Sequence, residues 1–90
     1  MLKTLESLIS TIRQKKTSPD EKSYTSKLLR DKNLSVEKVK EEIAELIDAV
    51  ENNSNTVHEA ADVLYHLLVY LEGNGVRIED IMLELDKRRK

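Results

Sequence analysis

Glu42 with Glu45, and farther along Glu59 with Asp62, are carboxylate pairs at three-residue spacing. On a helix that spacing puts the members of a pair on one face, about a turn apart. On a wheel drawn from Val57 to Leu71, Val57, Ala60, Ala61, Leu64, Leu67, Leu68 and Leu71 fill one side, while Val63, Val69 and Tyr70 flank the other. Only Glu59, Asp62 and His66 make a polar line. A helix that is apolar nearly all round is a buried helix, so this line is expected to be enclosed. An unpaired carboxylate held away from water costs on the order of several kcal/mol unless it protonates, pairs with a cation or binds a metal. Four acids converging from two helices call for a cation. A plainer role is open to each: Glu59 closes a capping box with Thr56, and Glu42 and Glu45 solvate a surface helix.

The elements that position these acids are helices. Leu2, Leu5, Leu8, Ile9 and Ile12 predict an amphipathic helix over 2–16, ended by Thr17-Ser18-Pro19-Asp20. A short helix opens near Ser23 and ends by Lys32 or Asn33. The hydroxyls of Ser23, Tyr24, Thr25 and Ser26, with free N–H groups and Lys27, make its start either an anion site or an ordinary cap. Ser35 is the expected N-cap of a third helix running to about Asn52. Its apolar face, Val36, Val39, Ile43, Leu46, Ile47 and Val50, has the spacing of a coiled-coil seam. Glu42 sits at the edge of that face with Lys38 and Glu45 beyond it, and Glu41 and Asp48 point toward solvent. Asn52 to Asn55 is a turn, and Gly73-Asn74-Gly75 stops the fourth helix. Ile78, Ile81, Met82 and Leu85 mark a last helix from about Arg77 to Arg88.

Ninety residues, read as one domain over 1–90, contain no Phe or Trp and three Tyr, so the core is made of Leu, Ile, Val and Ala. This composition predicts an all-α bundle. A domain this small usually needs reinforcement, and without cysteine it cannot come from disulfides. Self-association or a metal remains, and the apolar fourth helix favours a homodimer or an assembly of dimers. With 15 Lys and Arg against 17 Asp and Glu, no global field draws the chain to nucleic acid or to a membrane. The basic run Lys87 to Lys90 complements a helix carboxyl end and has no aromatic companion. Val63 to Leu71 is too short to span a bilayer, and Glu6 interrupts the apolar stretch that a signal peptide requires, so a cytoplasmic protein is expected.

Four segments carry a resemblance: Ser23-Tyr24-Thr25-Ser26-Lys27-Leu28-Leu29, Lys38 to Glu45, Glu59 to Val69, and Ile78-Glu79-Asp80-Ile81 with Glu84-Leu85. In this order they resemble phosphoribosyl-ATP pyrophosphohydrolase of histidine biosynthesis, within the wider MazG-like all-α nucleotide pyrophosphatases. Lys40 departs from the pattern, since family members often carry Gly there. The resemblance implies a small MazG-like bundle of four to five helices completed by homodimerisation. It implies hydrolysis of phosphoribosyl-ATP to phosphoribosyl-AMP and pyrophosphate, the second step of L-histidine biosynthesis. It further implies Mg²⁺, with Mn²⁺ able to substitute, held by Glu42, Glu45, Glu59 and Asp62; an all-oxygen ligand set suits such hard cations better than zinc. Catalysis then falls to Glu42 and Glu45 through the metal, with Glu41 as the candidate for orienting water. Lys27, Arg30 and Lys38 become phosphate contacts, Ser23, Tyr24 and Thr25 position the substrate, and His66 is a hydrogen-bonded support behind the acids. A housekeeping nucleoside triphosphate pyrophosphatase would use the same acids, whereas a non-catalytic helical interaction module would leave them unexplained.

Overall fold

Leu and Ile at helical spacing give α1, Lys3–Thr17, which buries Ile12 completely. The computed structural model describes residues 2–89, and among these every regular element is an α-helix. Ser23 caps α2, Tyr24–Arg30, accepting the Ser26 N–H at 3.2 Å. The remaining helices are α3, Lys32–Glu51, α4, Thr56–Gly73, and α5, Ile78–Arg88. Two asparagines bend the chain between α3 and α4: Asn53 and Asn55 have φ of 51° and 55°, left-handed values that Asn tolerates better than most residues. After α4, Gly75 takes φ 78° while the Val76 N–H returns to the Leu71 carbonyl at 2.9 Å, closing the helix end. None of the helices is long and apolar enough to cross a membrane among the described residues.

Two caps differ from expectation. Asp31, not Ser35, opens α3: its carboxylate accepts the Leu34 N–H at 3.0 Å, and Ser35 lies buried inside the helix. An aspartate caps as well as a serine, and Asp31 also ends α2, so one residue serves both helices. The expected Thr56/Glu59 capping box does not form. Thr56 is the first helical residue, its hydroxyl donates to the Ala49 carbonyl at 3.4 Å, and Asn55 stands at the N-cap without a side-chain bond. Glu59 is thereby released from a capping role. Lys40, the departure from the family pattern, is exposed within an unbroken α3.

The α3 seam is rotated relative to the apolar pattern. Its buried residues are Ser35, Glu42 and Ala49, a heptad-spaced row, while Ile43, Ile47 and Val50 are left 40%, 55% and 58% exposed. On α4, Val57 and Leu64 are also uncovered, so that helix is enclosed in its second half and open in its first. α3 and α4 nevertheless form the most extensive helix pair, and this brings Glu42 inward against α4.

The core collects Ile12 of α1, Leu28 of α2, Leu68 and Val69 of α4, and Ile78 of α5. Each such side chain, fully buried, contributes about 1.5–3 kcal/mol. Beside this core sits an ion cluster. Arg13 donates to both oxygens of Glu72, at 2.9 and 2.8 Å, and also to Glu79, so it ties α1 to α4 and α5. Glu72, only 2% exposed, accepts the Ile78 N–H as well, at 3.2 Å. The guanidinium lowers the pKa of the Glu72 carboxyl and holds that of Glu79 at about 2.

Candidate active site

The turn between α3 and α4 folds the two acid pairs onto each other. Carboxylate oxygens of Glu42, Glu45 and Glu59 lie within 4.8 Å of one another, and Glu59 and Asp62 form a second such group with His58. Glu59 belongs to both, so one cluster spans both helices. Glu42 is 7% exposed, and Oε2 of Glu42 and Oε2 of Glu59 are buried with no hydrogen-bond partner among the described residues. Burial first, and Glu45 second, push both carboxyls above the usual carboxylate range. Native structures rarely leave such oxygens orphaned, and the hard, all-carboxylate donor set is the kind that a divalent cation completes. A cavity of about 270 Å³, lined in part by Glu45, Asp48, Asn55 and Glu59, opens beside the cluster. The larger cavity, about 540 Å³ between α1 and α5, is lined mainly by apolar side chains such as Leu2, Leu5, Ile9 and Met82, and lies away from these acids.

Sequence reasoning missed His58, whose Nε2 is 3.4 Å from Asp62 one turn on; the four-residue spacing was the available signal. The other expected residues divide into those near the acids and those elsewhere. Lys38 reaches Glu41 at 3.4 Å and stands 3.9 Å from Glu42, joining the edge of the cluster. Glu41 itself is exposed and paired with Lys38. Lys27 is exposed on α2. Arg30 lines a different cavity, with Lys15 and Lys16.

Tyr24, Thr25 and His66 bind α2 to α4. The His66 Nδ1 faces the Asp62 carbonyl oxygen at 2.8 Å, an atom that can only accept, so Nδ1 carries the proton. With the imidazole neutral, Nε2 is the acceptor and the Tyr24 hydroxyl donates to it at 2.9 Å. Thr25 shares a hydrogen bond with the Tyr65 hydroxyl, and the Tyr24 and Tyr65 rings stack with centroids 6.2 Å apart. His66, 6% exposed, is thus a hydrogen-bonded support whose ring locks Tyr24 beside the acid-bearing stretch of α4. Ser23 is the helix cap, which is the plainer of its two expected roles.

Helices alone, with four carboxylates brought together by α3 and α4 around two unpartnered oxygens, define an all-α protein with an interhelical acid cluster. The model of the family described as "PRA-PH: Phosphoribosyl-ATP pyrophosphohydrolase" matches residues 5–89, and the chain belongs to that family. It is 42% identical over 94 residues to a protein of Methanoregula boonei described as "Phosphoribosyl-ATP pyrophosphatase", covering 99% of this chain and 90% of that one. A Halobacterium salinarum protein with the same description is 38% identical over 91 residues, covering 94% and 96%. The chain also matches the "Histidine biosynthesis bifunctional protein hisIE, chloroplastic" of Arabidopsis thaliana, at 44% identity over 92 residues, but spans only 33% of its length.

Proposed function

We propose that this chain hydrolyses phosphoribosyl-ATP to phosphoribosyl-AMP and pyrophosphate, as a step of histidine biosynthesis, with Mg²⁺ held by Glu42, Glu45, Glu59 and Asp62. Family membership makes the chain a hydrolase and supplies the substrate. The observation that carries the metal is the pair of buried, unpartnered oxygens on Glu42 and Glu59. When bound, the cation neutralises the polyphosphate and lowers the pKa of coordinated water; Mn²⁺, another hard ion, serves in its place. Glu42 and Glu59 supply ligand oxygens already held in place by α3 and α4, so little ordering remains at the moment of binding. Lys38 offers an ammonium to the phosphates at the cluster's edge. Glu41, exposed beside Lys38, orients the attacking water in this proposal. Tyr24 and Thr25, fixed by His66 and Tyr65, form the wall against which the nucleotide is positioned.

A homodimer, or an assembly of dimers, belongs to the same proposal. The exposed apolar residues Ile43, Ile47 and Val50 on α3, with Val57 and Leu64 on α4, support it, since no element among the described residues covers them. Light scattering at micromolar concentration should return twice the chain mass or a multiple of that; a stable folded monomer would remove this part. A cytoplasmic location is likewise proposed, supported by the biosynthetic family. The activity itself is tested by a substrate panel. Phosphoribosyl-ATP should be cleaved in preference to ATP and other nucleoside triphosphates, and equal cleavage of plain ATP would favour a housekeeping pyrophosphatase.

A further inference from the structure

α2 has two working flanks. Tyr24 is on the flank toward the acid-bearing stretch of α4, where its hydroxyl meets His66. Ser26 and Arg30 turn to the other flank, where with Lys15, Lys16 and Gly73 they line a cavity of about 200 Å³. Three cationic side chains therefore share one small cavity. The acids that oppose them are Asp20 and Glu72, and the Glu72 carboxylate is already bound by Arg13. Lys15 meets the half-exposed Asp20 at 3.4 Å, Lys16 donates to the Glu72 carbonyl at 2.6 Å, and Arg30 has no carboxylate within ion-pair distance among the described residues. A second observation points the same way. Ser26 is fully buried, and its hydroxyl oxygen accepts the Asp20 N–H at 3.0 Å, yet its own proton has no acceptor among the described residues.

We propose that this cavity is a binding site for a phosphate dianion, separate from the acid cluster. A guanidinium fork, two ammonium groups and a buried hydroxyl supply donors for a compact anion with several acceptor oxygens. The cavity exceeds the share of volume of one or two waters. Along α4, Gly73 lies roughly 16 Å beyond Asp62 at the helical rise, and none of the four acids lines this cavity. Two sources have the required chemistry: the phosphate of a phosphoribosyl group, and free phosphate. If the source is the phosphoribosyl group, the inference rests on the proposed substrate; if it is free phosphate, it does not.

The test is an amide ¹H–¹⁵N titration of the metal-free protein with sodium phosphate, and separately with ribose 5-phosphate, at fixed ionic strength in chloride. Saturable shifts are expected at Ser26, Arg30 and Gly73 with both ligands. Lys15→Gln and Arg30→Gln alter side chains that reach solvent, so each variant should keep the rest of its spectrum while its affinity falls about tenfold, equivalent to 1.4 kcal/mol. Wild-type protein without saturable shifts, or shifts that persist unweakened in both variants, would overturn the site. Kinetics of Lys15→Gln then identify the source. A KM for phosphoribosyl-ATP raised severalfold, with no matching rise for ATP, assigns the site to the substrate's phosphoribosyl phosphate. An unchanged KM beside weakened phosphate binding assigns it to the free anion.

Discussion

Replacing Tyr24 by Phe removes one oxygen and leaves a defined vacancy. The ring can keep its stack on Tyr65 and its edge contact with His66, whose centroids lie 6.2 and 5.7 Å away. The loss is the hydrogen bond to His66 Nε2, and the bond from His66 Nδ1–H to the Asp62 carbonyl prevents the imidazole from answering by switching tautomer. A buried acceptor left without a partner costs about 1–3 kcal/mol. Tyr24 is 44% exposed, so water has some access and the low end applies. For a domain of this size about 1 kcal/mol lowers the melting temperature by about 4–8 °C. Thermal unfolding followed by circular dichroism measures this directly, and His66→Leu supplies the comparison. If the bond is what matters, adding Tyr24→Phe to His66→Leu should cost almost nothing further. A Tyr24→Phe protein that melts with the wild type, or two substitutions whose costs simply add, would refute the assigned tautomer and the lock between α2 and α4.

Three further outcomes follow from other parts of the structure. Metal-free Glu59→Gln should melt no lower than wild type, because removing one charge relieves crowded carboxylates, and Mg²⁺ should raise the wild-type melting temperature but not that of the variant; thermal scans with and without Mg²⁺ decide it. Glu72 and Glu79 have folded pKa values below their ordinary ones, so the stability they contribute is present above about 4.5 and drains away as pH falls toward about 2. Urea unfolding across that window should show the decline in wild type and a flatter profile in Arg13→Met. Asp31→Ala should cost about 1 kcal/mol as a lost N-cap, measured by the same urea method, whereas a cap at Ser35 would leave Asp31→Ala neutral.

Punctuation residues were the most legible part of this chain. Ser23, the Asn52–Asn55 turn and Gly73-Asn74-Gly75 act through local hydrogen bonds and backbone freedom, which sequence displays directly. The four acids were legible for a related reason: helix periodicity fixes which residues share a face, and a single tight turn fixes which faces meet. The α3 seam departs from the hydrophobic pattern because apolar and buried positions do not coincide on that helix. Within the chain, Glu42 turns inward and Ile43, Ile47 and Val50 turn outward, an inversion that a site or an interface can require but a pattern of hydrophobicity does not announce. Asp31 was hidden by the equally good capping signal of Ser35. The Arg13 cluster with Glu72 and Glu79, and the cavity shared by Lys15, Lys16 and Arg30, join residues far apart in sequence, and no local spacing reveals such meetings.

Isothermal titration of Mg²⁺ into wild type and Glu42→Gln, run beside ³¹P detection of the products from phosphoribosyl-ATP, tests the acid cluster most directly. Glu42→Gln alters the most buried of the four acids and leaves α3 otherwise intact. Mg²⁺ binding and Mg²⁺-dependent release of pyrophosphate are expected of the wild type, with both lost in the variant. Full activity in the presence of a chelator, release of orthophosphate, or a Glu42→Gln protein that binds Mg²⁺ and turns over like the wild type would contradict this expectation.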